Sequence, residues 1–222
     1  MATADSTLPD EAAAPVPSVR QRLIAAGERL FAEHGWNGVS IRTIAAAADV
    51  SLAALNYHFG LKENLLAEIF QARARPIAEE RVRLIERVQA SGAPTLEAVL
   101  EAFLRPALTA GSDTRFGGRV FARLRARLAT EPEGFSRRIL ADAFDGSSRL
   151  TIEALRRVLP DLPQEQLYWR FHFLLGAMVY TMADPGRIQS LSDGNCDPGD
   201  VEAALREIVR FLAAGFRAPP SP

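Results

Sequence analysis

The chain has little of several things, and each shortage closes off a class of function. Cys196 is the one cysteine in 222 residues, which excludes an intrachain disulfide framework and any cysteine-rich zinc site and suits a reducing cytoplasm. Lys62 is the one lysine, and arginines spread along the whole chain supply the other fixed positive charges. No sign of charge prevails, since 26 Lys and Arg oppose 27 Asp and Glu for a net charge of -1; a nucleic-acid partner would have to be met locally. A long apolar run is missing too. The most apolar stretch, Leu167 to Ala183, carries Arg170 and His172 and falls short of the roughly 18 to 20 apolar residues that span a bilayer, so no membrane partner is expected. Residues 1–18 hold Asp5, Asp10, Glu11 and prolines without a basic start or apolar centre, and read as a disordered tail rather than a secretory signal. With 48% hydrophobic residues the remainder can bury a core, and a soluble, cytoplasmic globular protein is expected.

Helical periodicity dominates and strand signals are nearly absent, so the fold class is all-α. Leu23, Gly27, Leu30 and Phe31 recur at helical spacing up to a stop at Gly35. Ser40 can cap a second helix with Ile41, Ile44, Ala45 and Ala48 on one face; Asp49 and Val50 form a corner; Ser51 can cap a third helix from Leu52 to about Phe59. A longer helix begins near Leu61, and Pro76 is expected to kink or break it. Further helices are predicted over about 95–109, 114–129, 133–159, 164–183 and 198–216, with Asp113, Asp161 and Asp197 as N-caps and a mobile loop over 184–197.

Two short helices joined by a tight corner form a helix-turn-helix, whose second helix enters the major groove. In the third helix Leu52, Leu55 and Phe59 share the inner face, leaving Ala53, Ala54 and Tyr57 outward, flanked by Asn56 and His58. Small residues permit close approach to base edges, asparagine can pair with adenine, and alanine methyls can touch the thymine methyl. Tyr57, His58 and Lys62 suit phosphate contact. Arg20 and Arg22 either reach a minor groove or remain in solvent.

The run Ser40-Ile-Arg-Thr-Ile-Ala-Ala-Ala-Ala-Asp-Val-Ser51, followed by Leu52-Ala-Ala-Leu-Asn-Tyr-His-Phe-Gly60 and Lys62-Glu63, resembles the DNA-binding domain of the TetR family of bacterial transcriptional regulators over about residues 20–66. The resemblance implies a homodimer that binds a double-stranded DNA operator, an inverted repeat, and is released from it by a small, largely apolar effector. It places Ser40, Thr43, Tyr57, His58 and Lys62 at phosphates, and Arg42, Ala53, Ala54 and Asn56 at bases. Two positions depart from the family's pattern. Asp49 stands where glycine is common, and Leu61 stands where a capping Ser, Thr or Asp is common, at a cost of about 1 kcal/mol. The implied domains are 19–66 for DNA and 67–217 for effector and dimer.

Beyond residue 90 no catalytic, metal or cofactor constellation is recognisable, and none is expected. Phe116, Val120, Leu124 and Leu128 form one i, i+4 ladder, with Phe135, Ile139, Leu140 and Phe144 as a second. Such stripes are ordinarily core. In the family the same helices surround a ligand cavity, so Phe103, Phe116, Arg119, Val120, Arg123, Leu124, Phe144 and His172 are the candidate pocket, the arginines as anion anchors. The helix from Gln164 to Ala183 is apolar nearly all round and the last helix broadly so. Leu167, Phe171, Leu174, Leu175 and Met178 with Leu205, Ile208 and Leu212 are accordingly expected in a two-fold four-helix dimer interface. The readings kept beside repression are a DNA-binding activator or architectural protein without an effector, and a helical carrier or enzyme.

Overall fold

A computed structural model describes residues 17–113, 117–131, 134–184 and 186–220. Among these residues all regular structure is helical, in the order α1 (Val19–His34), α2 (Ile41–Ala47), α3 (Leu52–Phe59), α4 (Lys62–Ala90), α5 (Leu96–Ser112), α6 (Gly118–Thr130), α7 (Gly134–Val158), α8 (Gln164–Ala183), α9 (Arg187–Leu191) and α10 (Val201–Arg217). Helices α1 to α3 close over Leu23, Phe31, Ile44, Leu55 and Phe59, all buried. Below them α4 packs on α5 and α7, α6 on α1 and α8, and α10 on α5 and α8.

Local chemistry accounts for most of the helix starts. Ser40, Ser51 and Thr95 each accept from the backbone N–H three residues on, a cap that stabilises by about 1 kcal/mol. Ser18 does so reciprocally with Gln21; the expected tail therefore ends at an ordered capping box, and its first sixteen residues lie outside those described. Asp49 turns the corner at φ 52°, the left-handed conformation that Asp tolerates better than most residues. Leu61 offers α4 no side-chain cap, as expected, but Asn64 donates its side-chain N–H to the Phe59 carbonyl at 3.0 Å and ties this junction from inside.

Several expectations are corrected. Pro76 neither breaks nor ends α4. It lines, with Pro106 of α5, a surface groove of about 400 Å³ between the two helices. The expected domain boundary at 66/67 falls within this continuous helix. Asp113 follows α5 as its C-cap, α8 starts at Pro163 without a side-chain cap, and α10 is capped by Asp200. Asp197 instead accepts from the Gly199 N–H, leaving Pro198 outside the helix. The stretch expected as a mobile loop contains α9, whose first N–H groups donate to the Asp184 carboxylate.

The largest correction concerns the presumed dimer residues. Leu167, Phe171, Leu174 and Met178 of α8, and Leu205, Ile208 and Leu212 of α10, are buried by the chain's own core, and Leu175 is half-buried against it. They repeat at helical spacing because they form each helix's inner seam. What α8 leaves outside is a second aromatic seam: Trp169 is 54% exposed, Phe173 61% and Tyr180 62%, with Phe211 of α10 at 72%.

Candidate nucleic-acid interface

Helix α3 is held from beneath by Leu55 and Phe59 and stopped at Gly60, whose N–H donates to the Asn56 carbonyl with φ at 66°. That anchoring fixes what faces outward. Ala53, Asn56 and His58 are exposed, Ala54 is half-exposed, and Tyr57 is 86% exposed. An aromatic ring held almost wholly in water buries nothing in this chain. It lies edge-on to His58, with the ring centres 5.4 Å apart, so the two form one aromatic and polar tip. At the start of α2 the Ser40 and Thr43 hydroxyls lie 2.8 Å apart and exposed, and Arg42 is exposed beside them. Hydroxyls at a helix N-terminus, where backbone N–H groups point outward, are suited to a phosphate.

Three cations near the reading face have partners within the head itself. Lys62 donates its ammonium to the Trp36 and Val39 carbonyls, both at 2.8 Å, and sits 3.8 Å from the centre of the Trp36 ring. Burial pushes its pKa below the usual lysine value. It staples the loop after α1 to the start of α4, which leaves at most one N–H for a phosphate. Arg20 is paired with Glu68 and lies over the Phe59 ring, 5.7 Å from its centre. Arg22 donates to the Asp49 carbonyl at 3.1 Å and supports the helix-turn-helix corner. Both belong to the scaffold of the head.

The head is clamped to the body chiefly through α6. Arg127 donates to the Ala32 and Glu33 carbonyls at 2.9 and 2.8 Å, occupying acceptors that the last turn of α1 leaves open. Arg73 of α4 makes a two-pronged bond to the buried Glu28 of α1, at 2.9 and 2.8 Å. This bond holds the Arg73 pKa above its usual value. Gly117, at φ 87°, begins α6 beside this pair, and a Cβ there would lie 2.7 Å from a Glu28 carboxylate oxygen. Trp36 extends the junction by packing against Phe31 and against Phe135 of α7.

The body departs from the expected pocket. Arg119, Arg123 and Val120 are exposed, Val120 by 40%. Arg119 donates to the Asp184 carbonyl, and Phe116 lies outside the described residues. Of the ladder, Leu124 and Leu128 face inward and Val120 does not, because the inner face of α6 is made by Phe121, Leu124, Arg125 and Leu128. His172, expected as core or pocket, is exposed on the outer seam of α8 between Trp169 and Phe173. Phe103, Leu124 and Phe144 are buried, and the rings of Phe103 and Phe144 lie against two buried arginines that the predicted pocket did not include.

Arg81 of α4 is fully buried and Arg125 of α6 nearly so, and neither has a carboxylate partner among the described residues. The Arg81 guanidinium lies 3.9 Å from the centre of the Phe103 ring and 5.3 Å from that of Phe144. The Arg125 guanidinium lies 4.4 Å from the same Phe144 centre. Desolvation, with repulsion from Arg125, drives the Arg81 pKa well down, and burial pushes Arg125 down to about 10. Arg125 still titrates far above neutrality, so its cost is present in full at physiological pH. Burial of a charge without a counter-ion costs several kcal/mol. A signal was present: Ile77, Arg81 and Ile85, like Phe121, Arg125 and Leu128, put an arginine in phase with the apolar face.

An outward-facing helix-turn-helix followed by a helical body is the arrangement that comparison with known proteins matches. The description "Bacterial regulatory proteins, tetR family" matches residues 23–69, and "Tetracyclin repressor-like, C-terminal domain" matches residues 101–215. The chain belongs to the TetR family of transcriptional regulators. It is 38% identical over 90 residues to the transcriptional dual regulator CecR of Shigella flexneri, spanning 37% of this chain and only 40% of that protein. With the transcriptional repressor AcnR of Corynebacterium diphtheriae it shares 29% identity over 178 residues, 78% of this chain and 85% of that one. The fold also resembles that of the regulator FadR from Bacillus subtilis, solved in complex with stearoyl-CoA, with a TM-score of 0.55 and 18% identity over 87% of this chain and 97% of that one.

Proposed function

We propose that the chain is a dimeric transcriptional repressor of the cytoplasm, released from an inverted-repeat operator by a small, largely apolar effector. The observation that carries this reading is the outer face of α3, where Tyr57, Asn56 and Ala53 are held in water by a core that fixes their direction. Ala53, Ala54, Asn56 and Arg42 are the base-reading set. Ser40, Thr43, Tyr57 and His58 take the phosphates, with Lys62 serving as staple first and phosphate ligand second. Repression is supported by the likeness to AcnR, and a ligand with an acyl chain by the fold shared with FadR.

The dimer forms through the exposed seam of α8, with Trp169, Phe173 and Tyr180 around the open Gly176, and through Phe211 of α10. Contiguous exposed aromatics of this size mark an association surface. Two heads must present α3 to successive major grooves, about 34 to 36 Å apart. An effector that favours another spacing shifts the population away from it. The lever is α6 rather than a hinge at Pro76, since α4 is unbroken while α6 carries both the buried Arg125 and the α1 clamp Arg127.

Selection from a random duplex pool by the purified protein tests this reading. An enriched inverted repeat is the expected result. Absence of enrichment by a stable dimer refolded from denaturant, and so freed of bound effector, contradicts it. Enrichment of one half-site by a monomer overturns the dimer, and binding without sequence preference favours the architectural reading.

A further inference from the structure

We infer that Arg81 and Arg125 form the anchor for the head group of an apolar carboxylic acid, bound inside the α4–α8 domain. This rests on the effector-domain reading above and names the class of ligand that the domain takes. Elsewhere the chain pairs its arginines readily: Arg73 with Glu28, Arg105 with Glu101 and Glu202, Arg217 with Glu97. Inside the body, by contrast, the acceptors that the described residues offer to two guanidiniums are one carbonyl and two thioethers. Arg81 donates to the Phe103 carbonyl at 2.8 Å and to Met178 Sδ at 3.1 Å. Arg125 donates to Met182 Sδ at 3.6 Å. Thioether sulfur is a weak acceptor, and Arg81 Nη1 is buried with no acceptor among the described residues.

The surroundings select the rest of the ligand. Both guanidiniums lie against Phe144, and Phe103 and Phe171 pack together beyond Arg81. Ser147 and Thr151, buried on α7, spend their hydroxyl hydrogens on carbonyls of their own helix. A nucleotide or sugar would therefore lose its hydrogen bonds there. A single carboxylate on an apolar body instead receives the guanidinium fork in two parallel bonds and leaves its hydrocarbon among rings and methionines. Methionine is unbranched and repacks easily. Met182 bridges inside and outside: its sulfur faces Arg125, and the residue also lines a surface cavity of about 190 Å³ with Arg119 and Asp184.

The test is thermal denaturation of the full chain with octanoate, palmitate or phenylacetate, each against its methyl ester. At least one acid raises the melting temperature, and its ester binds at least about tenfold more weakly, because a site built for a hydrogen-bonding group rejects the analogue lacking it. Arg125→Met and Arg81→Met, which keep length while removing charge, abolish the preference for acid over ester. The inference is overturned if no acid outperforms its ester, if both variants keep the preference, or if palmitoyl-CoA stabilises the protein and palmitate does not. The acid-to-ester comparison in the unmodified protein needs no variant to fold. Selection of DNA is read without ligand, so a chain that binds acid but enriches no DNA fails as a repressor and keeps this site. A chain that enriches an operator but distinguishes no acid loses this site alone.

Discussion

The head and the body of this molecule place unpartnered polarity on opposite sides of their surfaces. In the head a small, well-capped core supports an outside that the chain does not complete: Tyr57 and His58 project, Arg42 is exposed, and the hydroxyls of Ser40 and Thr43 face water. In the body the outside is laced with ion pairs such as Arg105 with Glu202, and two arginines without a carboxylate partner among the described residues, Arg81 and Arg125, are inside. The difference teaches where each partner belongs. A macromolecule can complete a surface, whereas only a small molecule can complete an interior. Helix α6 touches both regions, through Arg127 on the last turn of α1 and Arg125 two residues earlier in the core.

The comparison can be broken most severely at its joints. Phe173→Glu puts a charge on the exposed seam of α8 without touching the chain's own core, and is expected to weaken dimerisation by at least about 100-fold, as loss of a central aromatic anchor does. Sedimentation of the variant at micromolar concentration checks it. Lys62→Met removes two charged hydrogen bonds and the contact over Trp36, and is expected to cost about 2 to 4 kcal/mol of head stability. Urea denaturation followed by Trp36 fluorescence in a Trp169→Phe background reads this loss, and a change only in DNA affinity would make the phosphate role of Lys62 its main one. Arg125→Met is expected to stabilise the ligand-free protein by about 1 to 2 kcal/mol, since an apolar side chain replaces a buried unpaired charge; a lower melting temperature would mean that the core requires that charge. Tyr57→Ala is expected to weaken binding to all operators by about tenfold and leave stability unchanged.

Salt sharpens the same contrast. Between residues 41 and 59 the fixed charges are Arg42 and Asp49, and the Lys62 ammonium is spent on two carbonyls. In the proposed docking, phosphate recognition falls largely to hydroxyls, a phenol and helix N-termini, which release few counterions. The logarithm of operator affinity is expected to fall with the logarithm of salt at a slope of only about -2 to -4 per dimer. A slope near -8 would mean that many more cations reach the backbone than this head displays.

How much of this was legible in the sequence follows from the range of the interactions. The head was read well because its signals are local: Ser40 and Ser51 cap their own helices, Asp49 turns its own corner, and Leu55 and Phe59 lie one turn apart. The staple made by Lys62 is not legible in the sequence because its partners, Trp36 and Val39, lie more than twenty residues away and are backbone carbonyls, which leave no mark on a sequence. On α8 two apolar seams share one helix, so periodicity showed that both sides are covered without showing which faces inward. The seam of Leu167, Phe171, Leu174 and Met178 proved to be the inner one, and the aromatic seam the outer. The buried arginines were written plainly in the pattern, each in phase with the apolar face of its helix, but a charged residue in that phase is ordinarily taken as an interruption.

The claim that the two incomplete regions are coupled through α6 is tested most directly by measuring operator affinity at fixed salt, with and without the acid that stabilises the protein. Operator affinity in the unmodified chain should fall at least about tenfold at saturating acid, the range of coupling between linked sites, and stay constant in the Arg125→Met variant. Equal operator affinity with and without a saturating, stabilising acid would contradict the account.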